Sequence, residues 1–337
     1  MENEKQQMAM VNVSRPQTFT DVDLDCTEFP QPTFTIPGLV PNGLTILAGK
    51  PKVGKSLLAY NLGLCLASGQ KALGAIPLDP CEVLYMVLEE TPGKIKSKLA
   101  KMRGTSPLTN RIHFAFSWNA VDKKGLEDLD EWLKDHPAVK LVVIDTFSRF
   151  RGWKASRLGY DRGYEAVALI KKVADEKGVA IVLIHHLRKT SAEDQMDQVM
   201  GTVGITGAAD SILILSRQRL NSGSELFITG RDIEEMNIAL QFDSDSLSWR
   251  FVGDAEEHRL SKERQEVIQL LKDAKGPLKL KDIASALGKK EPGVHKHLTS
   301  LLEAGLIEQP GYGLYQIRKT SESSETGKSG ESFAVLQ

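Results

Sequence analysis

The sequence is poor in cysteine, has no excess of charge of one sign, and lacks long apolar runs. Its three cysteines, Cys26, Cys65 and Cys81, are far apart and form no CxxC pair, so neither a disulfide framework nor a zinc site is predicted. The formal net charge of −1 excludes a wholly basic, histone-like protein and a strongly acidic disordered one. No stretch approaches the roughly 18 apolar residues of a membrane helix, and the acid-containing N-terminus lacks the apolar core of a secretory signal. We expect a reduced, cytoplasmic protein that does not contact a membrane.

Short apolar runs alternate with helix-like segments from residue 36 to residue 252. Such alternation favours an α/β fold with a mostly parallel sheet and helices on both faces. The predicted strands are Leu44–Ala48, Val83–Leu88, Leu141–Ile144, Ala180–Ile184, Ser211–Leu215 and Leu226–Thr229. The helices predicted between the first five are Ser56–Leu66, Gly93–Met102, Leu126–Leu133 and Tyr164–Glu176. The later runs are separated by short turns and predict hairpins at one sheet edge.

The most specific motif is the glycine-rich loop Gly49–Ser56. It reads GKPKVGKS, which is GxxxxGK followed by Ser or Thr, and it lies between a predicted strand and a predicted helix, as the motif requires. Backbone N–H groups and the helix dipole favour phosphate there. Lys55 is placed to reach the β- and γ-phosphates and the Ser56 hydroxyl to bind Mg²⁺, so we predict an ATP and Mg²⁺ site. The predicted nucleotide contacts are Gly49, Lys52, Val53, Gly54, Lys55, Ser56 and Leu57.

Carboxylates follow two of the other predicted strands. Asp145 ends the run Leu141–Ile144, and behind a P-loop such an aspartate supports Mg²⁺ through its water shell. Glu89 and Glu90 follow the run Val83–Leu88, where a glutamate near the γ-phosphate can orient the attacking water. We prefer Glu89 for this role and keep Glu90 as the alternative.

Four segments in order, GLVPNGLTILAGKPKVGKS, LYMVLEE, LVVIDTF and IVLIHH, resemble the RecA-like ATPases. In detail they look like the branch that contains the plasmid RepA-type hexameric replicative helicases, over roughly residues 34–252. The resemblance implies that the glutamate after the second strand is catalytic, which supports Glu89. It also implies a polar sensor at the end of the strand after Asp145. His185 and His186 occupy that place, and we take His186 as a catalytic candidate.

The same resemblance implies a ring, commonly a hexamer, with ATP held between neighbouring subunits. An arginine from the adjacent subunit then stabilises charge on the γ-phosphate. The candidates are Arg217 and Arg219, after the fifth predicted strand, and Arg231, after the sixth. By resemblance we prefer Arg231.

Two loops are predicted to contact single-stranded DNA. The segment from Phe147 to Arg157 interleaves cations and aromatics and contains no acid, which suits phosphates and stacked bases. In RecA-like proteins the corresponding loop faces the central channel. An alternative is that Phe150 and Trp153 pack against a neighbouring subunit. The predicted contacts are Arg149, Arg151, Trp153, Lys154 and Arg157, with Arg188 and Lys189 from the second loop.

Residues 259–318 show a different pattern, of three helices followed by a hairpin. Ser261 is predicted to cap the first helix, the second spans Leu280–Leu287 and is stopped by Gly288, and Pro292 suits the first turn of the third. The third helix is predicted to bury Val294, Leu298, Leu301 and Leu302, and the hairpin strands are Leu306–Gln309 and Leu314–Ile317. This module resembles a winged helix-turn-helix.

The module is basic, with 12 Lys or Arg and 7 Asp or Glu between residues 259 and 319. A basic winged helix usually binds duplex DNA through its third helix, and the candidate contacts are Lys290, His295 and Lys296. Many winged helices make protein contacts instead, which stays an alternative.

The predicted organisation has four parts. A mostly disordered arm (1–35) precedes the RecA-like ATPase domain (36–252), which is followed by the winged helix-turn-helix domain (259–318) and a Ser/Glu/Gly-rich disordered tail (319–337). The leading hypothesis is an ATP-driven ring that moves on single-stranded DNA, a replicative helicase of a plasmid, phage or integrated element. The alternatives are an ATP-switched DNA-binding regulator without strand separation, and a structural ATPase with no DNA role.

Overall fold

The computed structural model describes residues 18–29, 32–152, 160–187, 206–217, 223–274 and 276–318. The chain divides into two compact units, one ending at Phe251 and the other beginning at Val252. None of the helices in the described ranges is long and apolar enough to cross a membrane.

Among the described residues, nine strands of the first unit form one sheet. In order across the sheet they are β11 (Ser248–Asp254), β10 (Met236–Asp243), β9 (Ser224–Gly230), β8 (Ser211–Arg217), β3 (Gly43–Gly49), β7 (Ala180–His186), β6 (Val139–Asp145), β4 (Glu82–Val87) and β5 (Ile112–Ala115). The six strands from β8 to β5 pair in parallel, whereas β9 pairs antiparallel with both β8 and β10. A separate two-stranded ribbon of β1 (Phe34–Ile36) and β2 (Val40–Pro41) precedes the sheet.

Helices cover both faces of the parallel part. They are α2 (Lys55–Ser68), α3 (Pro92–Arg103), α4 (Gly125–Asp135), α5 (Phe147–Arg151) and α6 (Tyr160–Lys177). The faces are distinct because side chains alternate along a strand: Leu47 of β3 packs in a cluster with α2 and α3, while Ile46 packs in a second cluster with α4 and α6. All seven residues of β3 are buried, as expected of a central parallel strand.

The predicted mostly parallel sheet is confirmed, and each strand predicted for it lies within an observed one, except that the predicted Val83–Leu88 extends one residue beyond β4. Two differences have physical reasons. β5 was not predicted, because its four residues are only half-buried and give no continuous apolar run. Strands β10 and β11 were not predicted, because polar residues interrupt both.

The second unit contains three helices and three short strands within its described residues. These are α7 (Ala255–Asp273), β12 (Leu278–Lys279), α8 (Leu280–Leu287), α9 (Glu291–Glu303), β13 (Ile307–Gly311) and β14 (Leu314–Ile317). Gly288 ends α8 with a left-handed backbone, and Pro292 lies in the first turn of α9, as predicted.

The predicted start of the first helix at Ser261 is wrong. The Asp254 carboxylate caps this helix by accepting hydrogen bonds from the N–H groups of Glu256 and Glu257, at 2.8 and 3.0 Å. Glu256 and Glu257 also place negative charge in the first turn, which complements the helix dipole. The helix therefore begins six residues before Ser261.

The apolar face of α9 differs from the prediction at two positions. Val294, Leu298 and Leu301 are buried, but Leu302 is only half-buried. His297, which was not predicted to belong to this face, is buried instead, and its Nε2 lies 2.6 Å from a carboxylate oxygen of Glu263 on α7. This pairing joins α9 to α7 inside the unit.

The arm that was predicted to be mostly disordered contains one short helix, α1 (Asp21–Cys26). Thr20 and Asp23 form a capping box at its start, and none of its residues is buried. Residues 1–17 of the arm, and the tail from residue 319, lie outside the described residues.

Candidate active site

The strand β3 leads into a tight loop and then into α2. Lys52 has φ of 66° and Gly54, the N-cap of α2, has φ of 109°, so the loop is built from left-handed positions that turn the chain within five residues. Val53 is buried beneath the loop, while Lys50 and Lys52 are exposed. The loop and the first turn of α2, at the carboxyl edge of the sheet, thus contain all of the predicted nucleotide contacts: Gly49, Lys52, Val53, Gly54, Lys55, Ser56 and Leu57.

Lys55 begins α2 and is 3% exposed. Its Nζ donates to the carbonyl oxygens of Gly49 and Lys50, at 2.7 and 2.9 Å. Burial lowers the pKa of Lys55 to about 8, while the charges of Asp145 and Glu89 oppose that shift. The loop therefore holds a desolvated ammonium against its own carbonyl groups.

Asp145 ends β6 close to the first turn of α2. It is 5% exposed, it is hydrogen bonded to the Ser56 hydroxyl, and the Tyr85 hydroxyl donates to its Oδ2 at 3.4 Å. Burial raises the pKa of Asp145 to about 6, and the charges of Glu89 and Glu90 add to this effect. The ring of Tyr85 stacks on Tyr60 with centroids 4.2 Å apart.

Glu89 faces the end of β6 as well. Its Oε1 accepts a hydrogen bond of 2.8 Å from the Thr146 hydroxyl, and it lies 3.8 Å from Nε of Arg149. Thr146 is 2% exposed, so the atoms packed around it hold in place the hydroxyl that donates to Glu89. Glu89 is consequently held within the charge environment of Lys55 and Asp145.

Glu90 has a different partner. Both of its carboxylate oxygens lie 2.6 Å from Nζ of Lys98 on α3, and Lys98 also lies over the Tyr60 ring, 5.8 Å from its centroid. Glu90 thus neutralises a lysine of α3, whereas Glu89 is the one of the two whose charge acts on Lys55.

His186 lies beside the loop, because its backbone pairs with Gly49 across β7 and β3. Burial lowers the pKa of His186, and the charge of Lys55 lowers it further, whereas Glu89 opposes the shift. His185, one residue earlier, contacts Phe147, with ring centroids 6.3 Å apart. His186 is thus the histidine brought to the charged site.

Arg231 lies toward the amino ends of the parallel strands, away from the loop Gly49–Ser56 at their carboxyl ends. The residue before it, Gly230, pairs with Ser211, and Ser211 pairs with Thr45 of β3. Thr45 lies four residues before Gly49, which is roughly 13 Å along the strand at about 3.3 Å per residue. Arg231 is exposed and donates to the Gly207 carbonyl at 3.3 Å. Of the other two candidates, Arg217 lies over the Phe242 ring, 5.8 Å from its centroid, and Arg219 is outside the described residues.

The segment predicted as a DNA-contacting loop begins with the helix α5. Phe150 is 1% exposed in the core, so it is not available to stack on a base or to pack against a neighbouring subunit. Arg149 is exposed, while Arg151 is half-buried with its guanidinium 5.9 Å from the Phe147 ring centroid. Lys290, His295 and Lys296 of the second unit are exposed. The remaining candidates, Trp153, Lys154, Arg157, Arg188 and Lys189, lie outside the described residues.

Sequence reasoning missed three side chains at this site. Thr146 follows Asp145 directly, so its position was visible in the sequence but its hydroxyl was not given a role. Tyr85 was hidden inside an apolar strand. Trp249 of β11 packs against Gly54, and nothing local in the sequence connects residues 195 positions apart.

The oxygen ligands at this edge fit a magnesium ion. Ser56 offers a hydroxyl and Asp145 a carboxylate whose pKa burial raises to about 6, so a cation beside it would favour its charged form. Mg²⁺ prefers a few such oxygens together with water and phosphate oxygens. Within the described ranges, no group of three or more His, Cys, Asp or Glu side chains could hold a metal ion by itself.

Replacing Asp145 tests the cost of its burial. Because its pKa is raised to about 6 from 3.8, the folded protein holds a proton between about pH 4 and 6 that the unfolded chain has released, so stability falls as pH rises through that window. We expect Asp145→Asn to increase the free energy of unfolding of the ligand-free protein at pH 8 by about 1–3 kcal/mol. Urea denaturation at pH 8 measures the increase, and at pH 5, midway through the window, the increase should be about half as large.

Asp130→Asn is the control, because the pKa of Asp130 is shifted in the opposite direction to that of Asp145. Hydrogen bonds from Lys134 and Lys177 lower the pKa of Asp130, so its charge stabilises the folded state above that pKa, and its removal should not increase stability at pH 8. An Asp145→Asn variant less stable than wild type at pH 8 would contradict the account of this site.

Solved structures show that the sheet has a known arrangement. One similar chain, described as an ATPase domain, has a TM-score of 0.51 and 14% identity, over 63% of this chain and 85% of that chain. Another, described as a DnaB-like replicative helicase in a structure of its interactions with primase, has a TM-score of 0.50 and 14% identity, over 62% of this chain and 57% of that chain. At this identity the likeness shows the fold alone, which is RecA-like.

Two family models match the sequence. A model described as an AAA domain matches residues 12–192, and a model described as an IclR helix-turn-helix domain matches residues 266–311. A search of curated proteins finds no match. The first match covers more than half of the chain and includes the loop Gly49–Ser56, Glu89 and Asp145. The chain therefore belongs to the AAA domain family and is a P-loop ATPase with a RecA-like core followed by a helix-turn-helix module.

Proposed function

We propose that this protein is an ATP-hydrolysing, ring-forming DNA motor, a replicative helicase of a plasmid, phage or integrated element that moves on single-stranded DNA. Within the RecA-like ATPases we place it in the plasmid RepA-type hexameric branch, on the sequence segments that resemble it. The observation that carries the proposal is the convergence of Lys55, Asp145 and Glu89 at one edge of the sheet, next to a loop of phosphate-binding shape.

We assign each of these groups a separate role in ATP hydrolysis. Lys55 is already desolvated, so exchanging the Gly49 and Lys50 carbonyls for β- and γ-phosphate oxygens pairs its charge with a stronger partner. Ser56 and Asp145 would hold Mg²⁺, which would supply positive charge to neutralise the phosphates. Glu89, fixed by Thr146, accepts a proton from the attacking water. We assign the role of γ-phosphate sensor to His186, whose backbone pairs with Gly49 and whose pKa responds to the charges of Lys55 and Glu89.

The two neighbouring glutamates provide a matched test of this division. Glu89→Gln should leave ATP binding intact but lower turnover by about 10²-fold or more, because general-base contributions are of that size. Glu90→Gln removes only the partner of Lys98, so its turnover should stay within a few-fold of wild type. Steady-state ATPase assays with an ATP-binding titration on each variant measure the difference. If Glu90→Gln shows the larger reduction in turnover, the catalytic carboxylate has been assigned wrongly.

The position of Arg231 supports a site that is completed by a second subunit. Its side chain lies at the edge of the sheet away from its own loop, so it cannot reach the nucleotide bound by its own chain. In a head-to-tail ring, the exposed edge of one subunit faces the loop of the next. Arg231 would then serve as the arginine finger for its neighbour.

Two DNA surfaces belong to the proposal. The first contains the cations after β6 and β7 with Trp153, and it serves single-stranded DNA. The second is formed by Lys290, the N-cap of α9, together with His295 and Lys296 of that helix, all exposed, and it serves duplex DNA. The match to a helix-turn-helix model over residues 266–311 supports the second surface.

Charge removal on α9 tests the duplex surface. The double variant Lys290→Ala with Lys296→Ala should weaken duplex binding and lower the slope of log affinity against log salt by about 0.9 for each DNA phosphate that the variant no longer neutralises. Stimulation of ATPase activity by single-stranded DNA should not change. Fluorescence anisotropy with both DNA forms at several salt concentrations measures these effects.

The control removes two cations from the first unit. Lys134→Ala with Lys172→Ala changes the net charge equally at exposed positions of α4 and α6. Equal weakening of duplex binding by both double variants would show a general charge effect and would refute the surface on α9.

The alternative function is an ATP-switched regulator that binds duplex DNA without separating strands. The helix-turn-helix match and the exposed face of α9 favour it as much as they favour the motor. Site-specific duplex binding in the absence of any single-strand-stimulated ATPase activity would select the regulator.

A further inference from the structure

The largest fully buried side chain of the described residues lies directly against the phosphate-binding loop. Trp249 of β11 is 1% exposed, and a Cβ placed on Gly54 would lie 2.7 Å from its Cζ2 and 3.6 Å from its Cε2. No side chain fits between the ring and the loop. The indole ring therefore packs directly against the backbone of Gly54.

Gly54 satisfies two conditions at once. Its φ of 109° lies in the region that side-chain-bearing residues rarely adopt, and its missing side chain lets the ring approach the backbone. Gly54 immediately precedes Lys55 and is the N-cap of α2. Any shift of the ring consequently changes the position of the N–H groups that open α2.

A second contact ties the same strand to the same helix. The backbone N–H of Trp249 donates to Oδ1 of Asn61 at 3.3 Å, and Asn61 is a buried polar residue of α2. Two residues further on, the N–H of Phe251 donates to the Leu73 carbonyl at 2.9 Å. Strand β11 is thus bound to the loop helix and to the chain that follows it.

Other antiparallel strands support the ring. Phe242 of β10 packs on Trp249 with centroids 4.8 Å apart and planes at 50°. Arg217, at the end of β8, lies over Phe242. The stack Arg217–Phe242–Trp249–Gly54 runs from the end of β8 to the loop.

The indole N–H is the remaining feature of this contact. Within the part of the chain that the structure describes, Nε1 of Trp249 is buried and has no hydrogen-bond partner. Nε1 is bonded to Cε2, which is one of the ring atoms nearest to Gly54. The side of the ring that carries this donor therefore lies close to the loop.

We infer that Trp249 is a positioning residue for nucleotide binding, which sets the place of Gly54 and of the first turn of α2 through ring contact. The inference rests on the proposed ATP site at Gly49–Ser56. Trp249 does not touch the reacting atoms, because it is buried beneath the loop. Its removal should therefore affect how tightly ATP is held more than how fast bound ATP reacts.

The test compares ATP binding and turnover in variants of the full chain. Trp249→Leu should raise the Kd for ATP by about tenfold or more, since weakening even one hydrogen bond from the loop or the first turn of α2 to a charged phosphate changes affinity by about that factor. Its kcat at saturating ATP should stay within about threefold of wild type, and Trp249→Phe should restore part of the affinity. Trp132→Leu, a half-buried tryptophan packed on the other face of the sheet, should leave the Kd unchanged.

A second readout does not need the leucine variant to fold. Binding of a non-hydrolysable ATP analogue should change the tryptophan emission of wild type and of Trp132→Phe, and this change should be absent in Trp249→Phe. A purely structural role would lower the number of binding sites per chain at unchanged Kd, and that result overturns the inference, as does an unchanged emission response in Trp249→Phe. Failure of wild type to bind ATP at all would instead refute the proposed function.

Discussion

The site depends on one buried positive charge at the carboxyl end of the sheet. Lys55 is almost fully buried, and burial lowers its pKa to about 8. A desolvated ammonium must be balanced locally, and the loop achieves this with the Gly49 and Lys50 carbonyls and with the nearby charges of Asp145 and Glu89. Parallel strands make the arrangement possible, because β3, β4 and β6 all end at the same edge and bring these residues together.

The three carboxylates at this edge are chemically alike but have different surroundings. Asp145 is buried beside Ser56 and Tyr85, and its burial keeps its pKa high. Glu89 accepts a hydrogen bond from the Thr146 hydroxyl and lies 3.8 Å from Arg149, whereas Glu90 is paired with Lys98. These different surroundings are the basis on which we propose metal binding for Asp145 and proton acceptance for Glu89, while Glu90 ties α3 to the end of β4 through Lys98.

Local patterns carried most of what could be predicted. The loop Gly49–Ser56 and the parallel strands follow from short stretches of sequence, and their spacing indicated a RecA-like core. The preference for Glu89 could not be decided locally from the residues alone, because its partner Thr146 is 57 positions away. The packing of Trp249 on Gly54 has no sequence signal, and the capping of α7 by Asp254 was missed because that aspartate also ends β11.

Whether the ATP site is shared between subunits can be measured by mixing two inactive variants in one ATPase assay. Lys55→Ala lacks the loop cation and Arg231→Ala lacks the finger, so each alone should hydrolyse almost no ATP. In an equimolar mixture, roughly a quarter of the interfaces of a randomly assembled ring should join an intact loop to an intact finger. We predict recovery of about that fraction of wild-type turnover. Full activity of Arg231→Ala alone, or no recovery in mixed rings whose subunit exchange has been verified by native mass measurement, would contradict an ATP site shared between subunits.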